Sequence, residues 1–203
     1  MLNFLMRFII GPPCSGKGTI AKELDGCFNS ISAGEILREM AKTDKHISTM
    51  LKSGHLVSIE LTSELVLKKA SEFNYEVLID GFPRSKSQAL LVKNFLEENN
   101  IKHKGIFYIW EDDHVLLERT ENRFFCEDCK LNYIGQSICC NKENIKRDDD
   151  NAETLKTRLK VFYDEIDDIL KVLQGPVFYI HNQQHKLKET VKKLTDIVTK
   201  HDK

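Results

Sequence analysis

With 203 residues the chain is long enough to bury one sizeable core and too short for two ordinary domains unless one is a small insertion. Its 30 basic and 31 acidic side chains give a net charge of −1, which excludes steering to nucleic acid or membrane by an overall field, so any anion site must be local. No apolar segment reaches the roughly 18 residues of a membrane span, the N-terminus lacks an export signal, and six cysteines in that setting point to reduced thiols in the cytoplasm.

In chain order, the apolar run Phe4–Ile10 reads as a first buried strand. It feeds the glycine-rich loop Gly11-Pro12-Pro13-Cys14-Ser15-Gly16-Lys17-Gly18-Thr19, and a helical pattern covers Lys17–Leu24. Strand, loop and helix in that order aim backbone N–H groups and a helix N-terminus at one point where a polyphosphate can sit. Lys17 at the positive end of that helix is unfavourable unless an anion is nearby. Helical periodicity follows at Ala33–Ala41, Ile59–Ser71, Ser85–Glu98 and Asp112–Arg123, with strand-like runs at Glu76–Asp80 and Lys104–Trp110. The stretch Phe124–Lys146 breaks the rhythm and holds four of the six cysteines, so it reads as an excursion outside the core. A helix over Asp150–Leu173, a strand at Pro176–His181 and a helix over Leu187–Thr199 complete the chain. Alternating strands and helices predict an α/β fold of three layers, with a central parallel sheet covered on both faces.

Only seven of the 30 basic residues are arginine: Arg7, Arg38, Arg84, Arg119, Arg123, Arg147 and Arg158. Where lysine is the default cation, each arginine marks a candidate place for a planar, bidentate phosphate clamp. In the strict P-loop pattern a hydroxyl residue directly follows the lysine, whereas here Gly18 intervenes and the hydroxyl arrives at Thr19.

Several collinear motifs carry a resemblance. They are Gly11-x-Pro13-x-x-Gly16-Lys17-Gly18-Thr19, Ser32-Ala33-Gly34-Glu35-x-x-Arg38, Asp80-Gly81-Phe82-Pro83-Arg84 with Gln88, Arg119-x-x-x-Arg123, Cys126-x-x-Cys129, Arg147 with Asp149 and Asp150, and Glu153-Thr154-x-x-x-Arg158. Together the sequence resembles the adenylate kinases among the nucleoside monophosphate kinases. The resemblance implies a P-loop NTPase-type core from 1–31, 58–122 and 150–203, a small NMP-binding insert at 32–57, and a lid insert at 123–149. It implies reversible transfer of the γ-phosphoryl group of ATP to AMP with Mg2+, in a monomer that binds neither nucleic acid nor membrane.

Since the accepting phosphate oxygen is already anionic, no general base is required, and catalysis rests on positioning and on cations around the oxygens. By resemblance, Lys17, Arg119, Arg123, Arg147 and Arg158 form that cationic ring, Arg38 and Arg84 hold the acceptor phosphate, and Asp80 orients magnesium through waters. ATP is expected on Cys14, Ser15, Gly16, Lys17, Gly18, Thr19, Arg119, Arg123, Asn132, Tyr133 and Gln184. AMP is expected on Ala33, Arg38, His55, Leu56, Val57, Gly81, Phe82, Pro83, Arg84, Gln88, Arg147 and Arg158. Two departures stand out. Ala33 replaces a threonine usual in adenylate kinases and resembles UMP/CMP kinases, while Cys14 replaces glycine at a loop position whose backbone angle glycine reaches more easily.

Many bacterial members bind structural zinc through two Cys-x-x-Cys pairs in the lid. Counting back from Arg147, Cys140 takes the last ligand position, the third falls on Ser137, and Cys139 sits out of register. The expected zinc set is Cys126, Cys129, Cys139 and Cys140, against a shortened lid without metal. Two other functions stay open: a UMP/CMP kinase, and a non-catalytic nucleotide- or nucleic-acid-binding module with a zinc ribbon. Against the latter, Glu127, Asp128 and Asp148-Asp149-Asp150 around the cysteines repel a phosphate backbone.

Overall fold

A computed structural model of the chain describes residues 5–129, 131–183 and 186–201. The first apolar run forms β1 (Met6–Ile10), buried along its whole length, and the glycine-rich loop turns into α1 (Lys17–Glu23). Then come β2 (Asn29–Ser32), α2 (Ala33–Ala41), α3 (Lys45–Ser53), α4 (Ile59–Ser71), β3 (Val77–Asp80), α5 (Lys86–Glu98), β4 (His103–Trp110) and α6 (Asp113–Glu121). Two small antiparallel hairpins follow, β5 (Arg123–Phe125) with β6 (Asn132–Ile134) and β7 (Ile138–Cys139) with β8 (Lys142–Glu143). The chain ends in α7 (Ala152–Leu173), β9 (Val177–His181) and α8 (Leu187–His201). No helix among the described residues is long and apolar enough to cross a membrane.

Five strands make one parallel sheet in the order β2-β3-β1-β4-β9. Side chains of β1 alternate between its faces. Met6, Phe8 and Ile10 pack with Val66 of α4, Ala89 and Val92 of α5, and Ile166 and Ile169 of α7. Ile9 packs the other way, against Ile20, Ala21 and Leu24 around α1 and Leu194 of α8. Helices therefore cover both faces, as the alternation of elements predicted.

Two elements go beyond the sequence reading. β2 has a single apolar residue, Ile31, because as an edge strand it pairs only with β3. α3 buries only Ile47 and so lacks a clear apolar stripe; its ends are set by Asp44, whose Oδ1 accepts from His46 N at 2.8 Å and Ile47 N at 3.1 Å, and by Gly54 with φ 76°. Ile47 joins Leu37 and Val57 in a small apolar cluster of its own, apart from the two that cover the sheet.

Arg7 is the one arginine outside the motifs, and it is fully buried near the start of β1. Its guanidinium pairs with Glu76, donates to the Lys104 carbonyl at 3.3 Å, and lies over the rings of Phe28 and Phe107. Removing one partner of a buried pair leaves the other charge poorly compensated. Glu76→Ala is accordingly expected to destabilise the protein by about 3 kcal/mol, more than the joint change Arg7→Met with Glu76→Met; urea denaturation of the two variants checks the order.

Candidate active site

The C-terminal ends of β1, β3, β4 and β9 lie at one edge of the parallel sheet, the edge where open α/β sheets bind ligands. The loop after β1 is fixed there by backbone chemistry. Cys14 adopts φ 62° and Gly16 φ 89°, so both residues are left-handed and Cys14 does take the angle that favours glycine. The Cys14 thiol accepts the Thr120 hydroxyl at 2.9 Å, which ties the loop to α6. Gly18 lies close to Asp80: a Cβ there would stand 3.3 Å from Asp80 Oδ2, a tight contact that would push on that carboxylate. Lys17 Nζ donates to the Pro12 carbonyl at 3.0 Å. Burial pulls the Lys17 pKa down to about 8, with Asp80 opposing and Arg84 adding to the effect.

Around this loop opens a cleft of about 510 Å³, and six of the seven arginines line it: Arg38, Arg84, Arg119, Arg123, Arg147 and Arg158. They come from α2, the turn after β3, α6, β5, the segment before α7, and α7 itself. Carboxylates hold three of them in place. Arg119 donates to Glu111 Oε2 at 2.7 Å and to the Asn182 carbonyl at 2.8 Å, Arg123 pairs bidentately with Asp150, and Arg158 donates to Asp149 at 3.0 Å. Arg147 stacks over the Phe125 ring at 4.3 Å, and Arg84 Nε donates to the Gly81 carbonyl at 2.7 Å.

The electrostatics are those of a site short of anions. Burial, reinforced by neighbouring guanidinium groups, pulls Arg84 down to about 10 and Arg147 to about 9 and also lowers Arg38, although all three remain charged at neutral pH. For Arg123 burial acts the same way and is the largest single influence, but the Asp150 hydrogen bonds together with the neighbouring negative charges, Asp150 and Asp149 among them, outweigh it and its pKa is raised. Burial disfavours the Asp149 carboxylate, yet Arg158, Arg38, Arg123 and Arg147 together hold it below the usual range. Asp80, at the end of β3, is buried and its pKa is raised by desolvation against the pull of Lys17 and Arg84. Its Oδ1 has no hydrogen-bond partner, which fits a carboxylate that orients a hydrated divalent cation.

A second, tight cavity shares Arg84 with the cleft and is lined by Ala33, His55, Leu56, Val57, Gly81, Phe82 and Gln88 among others. Gln88 Oε1 accepts the Arg84 N–H at 2.7 Å, so its amide group is held in orientation. Of the residues expected on AMP, Pro83 lines neither space; it follows Phe82 in a cis peptide.

Four sulfurs, of Cys126, Cys129, Cys139 and Cys140, lie within 4.8 Å of one another. The Cys129–Cys139 and Cys139–Cys140 distances of 3.7 and 3.6 Å match the edge of about 3.8 Å for a tetrahedron with metal–sulfur bonds of about 2.3 Å. Cys139, out of register by counting, is thus brought into the cluster. The β7–β8 hairpin turns through Cys140 and Asn141, both left-handed, which lets two adjacent cysteines face the same point. A hydrogen bond with the Tyr133 hydroxyl pulls the Cys129 thiol down to about 6, toward the thiolate that binds metal.

Other sequence-predicted residues are placed differently. In β6 the side chains alternate, so Asn132 and Ile134 line the cleft while Tyr133 points to the cysteines, accepting from Cys139 Sγ at 3.1 Å. Asn132 Oδ1 is buried without a partner. Ser15 is turned away from the cleft: its N–H goes to the Pro12 carbonyl at 3.3 Å and its own carbonyl to Asn182 and Arg119. Gln184 lies outside the described residues. Among residues the sequence reading missed, Glu111 fixes Arg119, and Asn182 and Gln183 line the cleft directly after β9. The position of Asn182 just past a parallel strand was the available signal.

A further cavity of about 520 Å³ is lined by Tyr108, Trp110, Tyr163 and Tyr179 with Glu111, Asp112, Asp113 and Asp167. Among the described residues no basic side chain lines it, in contrast to the arginine cleft. Comparison with known proteins agrees with that chemistry. The family described as Adenylate kinase matches residues 9–175. An adenylate kinase of Mesoplasma florum is 29% identical over 188 residues, covering 85% of this chain and 89% of its own length. One from Thermotoga neapolitana is 31% identical over 188 residues, covering 84% of each chain. One from Caldicellulosiruptor bescii is 34% identical over 176 residues, covering 78% of this chain and 82% of its own. The family match, which runs through the loop, the six arginines and the cysteine hairpins, and these relatives place this chain in the adenylate kinase family, as a nucleoside monophosphate kinase.

Proposed function

We propose that the arginine cleft carries reversible, Mg2+-dependent transfer of the γ-phosphoryl group of ATP to AMP, giving two ADP. The observation that carries this reading is the convergence of Lys17 and six scarce arginines on one cleft that adjoins a smaller cavity at Arg84. The donor triphosphate lies on the loop from Cys14 to Thr19, with Lys17 bridging its oxygens, and Asp80 orients the magnesium that ATP brings. Arg84, shared by the two spaces, holds the acceptor phosphate together with Arg38, while Arg119, Arg123, Arg147 and Arg158 neutralise charge on the transferring group. The cysteine hairpins act as a lid that excludes water from the transfer.

Acceptor choice follows from Gln88. With its Oε1 engaged by Arg84, its amide group donates, which matches the ring nitrogen acceptor of adenine and opposes the N–H of guanine or uracil. Cytosine N3 accepts as well, so Gln88 argues against UMP and GMP, and what favours AMP over CMP is the similarity to relatives named adenylate kinase. The four-cysteine cluster fits structural zinc, held by Cys126, Cys129, Cys139 and Cys140, and such an ion supplies rigidity to the hairpins and no chemistry to the transfer. The grouped free cysteines support a reducing, cytoplasmic setting, and free ATP and AMP are the partners proposed for a monomer.

A coupled assay with ATP and each of AMP, UMP, CMP and GMP tests the function: kcat/KM for AMP is expected to exceed the others by at least about tenfold, and a pyrimidine preference would overturn the assignment. Lys17 must be charged to bind phosphate, and it loses its proton as pH rises through about 8 in the free enzyme. The pH profile of kcat/KM for ATP is therefore flat below that value and falls about tenfold per unit above it, while kcat, measured with the anion already bound, stays flat to higher pH. Protein purified without chelators is expected to carry one zinc per chain by elemental analysis, and Cys140→Ser to lower that content; a stoichiometry near zero in the unaltered protein removes the zinc assignment.

A further inference from the structure

Asn182 follows β9 and is 7% exposed. Its backbone N–H donates to the Trp110 carbonyl at 3.0 Å, extending the β4–β9 ladder, so its position is fixed by the sheet. Its side-chain Nδ2 donates to the Ser15 carbonyl at 2.7 Å, and Arg119 approaches the same carbonyl at 3.5 Å. Its own carbonyl accepts Arg119 at 2.8 Å. The close approach depends on Gly16, since a Cβ at that residue would lie 2.3 Å from Asn182 Nδ2.

The consequence concerns the next N–H along the loop. A trans peptide is planar, so its C=O and the following N–H point in opposite directions. Holding the Ser15 carbonyl against Asn182 and Arg119 turns the Gly16 N–H the other way, and Gly16 lines the cleft. We propose that Asn182 is a positioning residue for the phosphoryl donor: its carboxamide fixes the Ser15–Gly16 peptide so that the Gly16 N–H faces the triphosphate, while its carbonyl sets Arg119 beside the same ligand. This inference rests on the reading of the loop as the ATP site. It also explains why Ser15, a loop residue expected on the phosphates, is turned away from them: its carbonyl is the handle by which the peptide is oriented.

The orienting bond exists before ATP arrives and persists through transfer, so it contributes equally to ground-state and transition-state binding. Steady-state kinetics of Asn182→Ala and Asn182→Leu, with ATP and AMP varied in turn, separate the possibilities. Leucine keeps most of the volume and adds no charge, so it tests the hydrogen bond apart from packing. Both variants are expected to raise KM for ATP by roughly threefold to tenfold, the equivalent of one hydrogen bond, with kcat and KM for AMP within about twofold of the unaltered protein. An ATP KM within about twofold in the leucine variant, or an equal rise for AMP, overturns the positioning role. Titration calorimetry with ATP alone gives the same comparison if turnover is too low to measure. Failure of the unaltered protein to phosphorylate AMP with ATP is a separate result, which removes the kinase reading and this inference with it.

Discussion

Positive charge crowded into a buried cleft is the constraint on which the rest of this molecule depends. Lys17, Arg38, Arg84 and Arg147 are each pulled below their ordinary pKa, first by burial and then by other cations. Asp80 and Asp149 compensate in part, and Glu111, Asp150 and Asp149 hold three further cations, Arg119, Arg123 and Arg158, in fixed orientations. The compensation is incomplete by design of the fold, because full neutralisation would leave nothing for phosphate to gain. Two nucleotides bring several negative charges into a place whose dipoles are already turned to receive them, so little reorganisation is left for the transfer itself.

Such a concentration of like charge can only be held by a rigid frame, and the parallel sheet provides it. The contributing residues run from Lys17 to Asn182 in sequence, yet Lys17, Arg38, Arg84, Arg119 and Asn182 each sit just beyond the end of one of the sheet's strands or on the helix that follows it. The register of β1 with β3 brings Ile9 opposite Asp80, and that of β4 with β9 brings Trp110 opposite His181. The loop, the Asp80 carboxylate and Asn182 thus share one edge. Glu111 links the ladder to the charge: directly after β4, it holds Arg119 with one oxygen and accepts from His181 with the other.

The sheet and the loop were legible in the sequence because both rest on local rules, apolar runs of strand length and a glycine-rich turn into a helix. The arginines were legible for a compositional reason: lysine serves everywhere else, so a guanidinium stands out. What could not be read was side-chain direction. Asn132 and Tyr133 are adjacent, and only the pleat of β6 decides that one faces the cleft and the other the cysteines. Ser15 and Asn182 meet across 167 positions, a pairing no local pattern encodes. Edge strand β2 and helix α3 were hidden for a third reason, since each buries too little to write a period into the sequence.

The cysteine hairpins owe their place to the same electrostatics. Arg123 and Arg147 enter and leave this segment, and neither belongs to the sheet that positions the other cations. Their spacing is set where the two ends of the segment meet, by reciprocal backbone bonds between Phe125 and Ile145 at 2.8 and 2.9 Å and by Arg147 stacked on Phe125. Cys126 directly follows Phe125, and Cys140 lies five residues before Ile145, so four sulfurs drawn to one point would lock the bridge that sets the two guanidinium groups. With little apolar material to pack, such a short segment needs a cross-link to hold two like charges at a fixed separation. A structural metal bound by these four sulfurs would serve to place cations, and its contribution to phosphoryl transfer would be the rigidity given to Arg123 and Arg147.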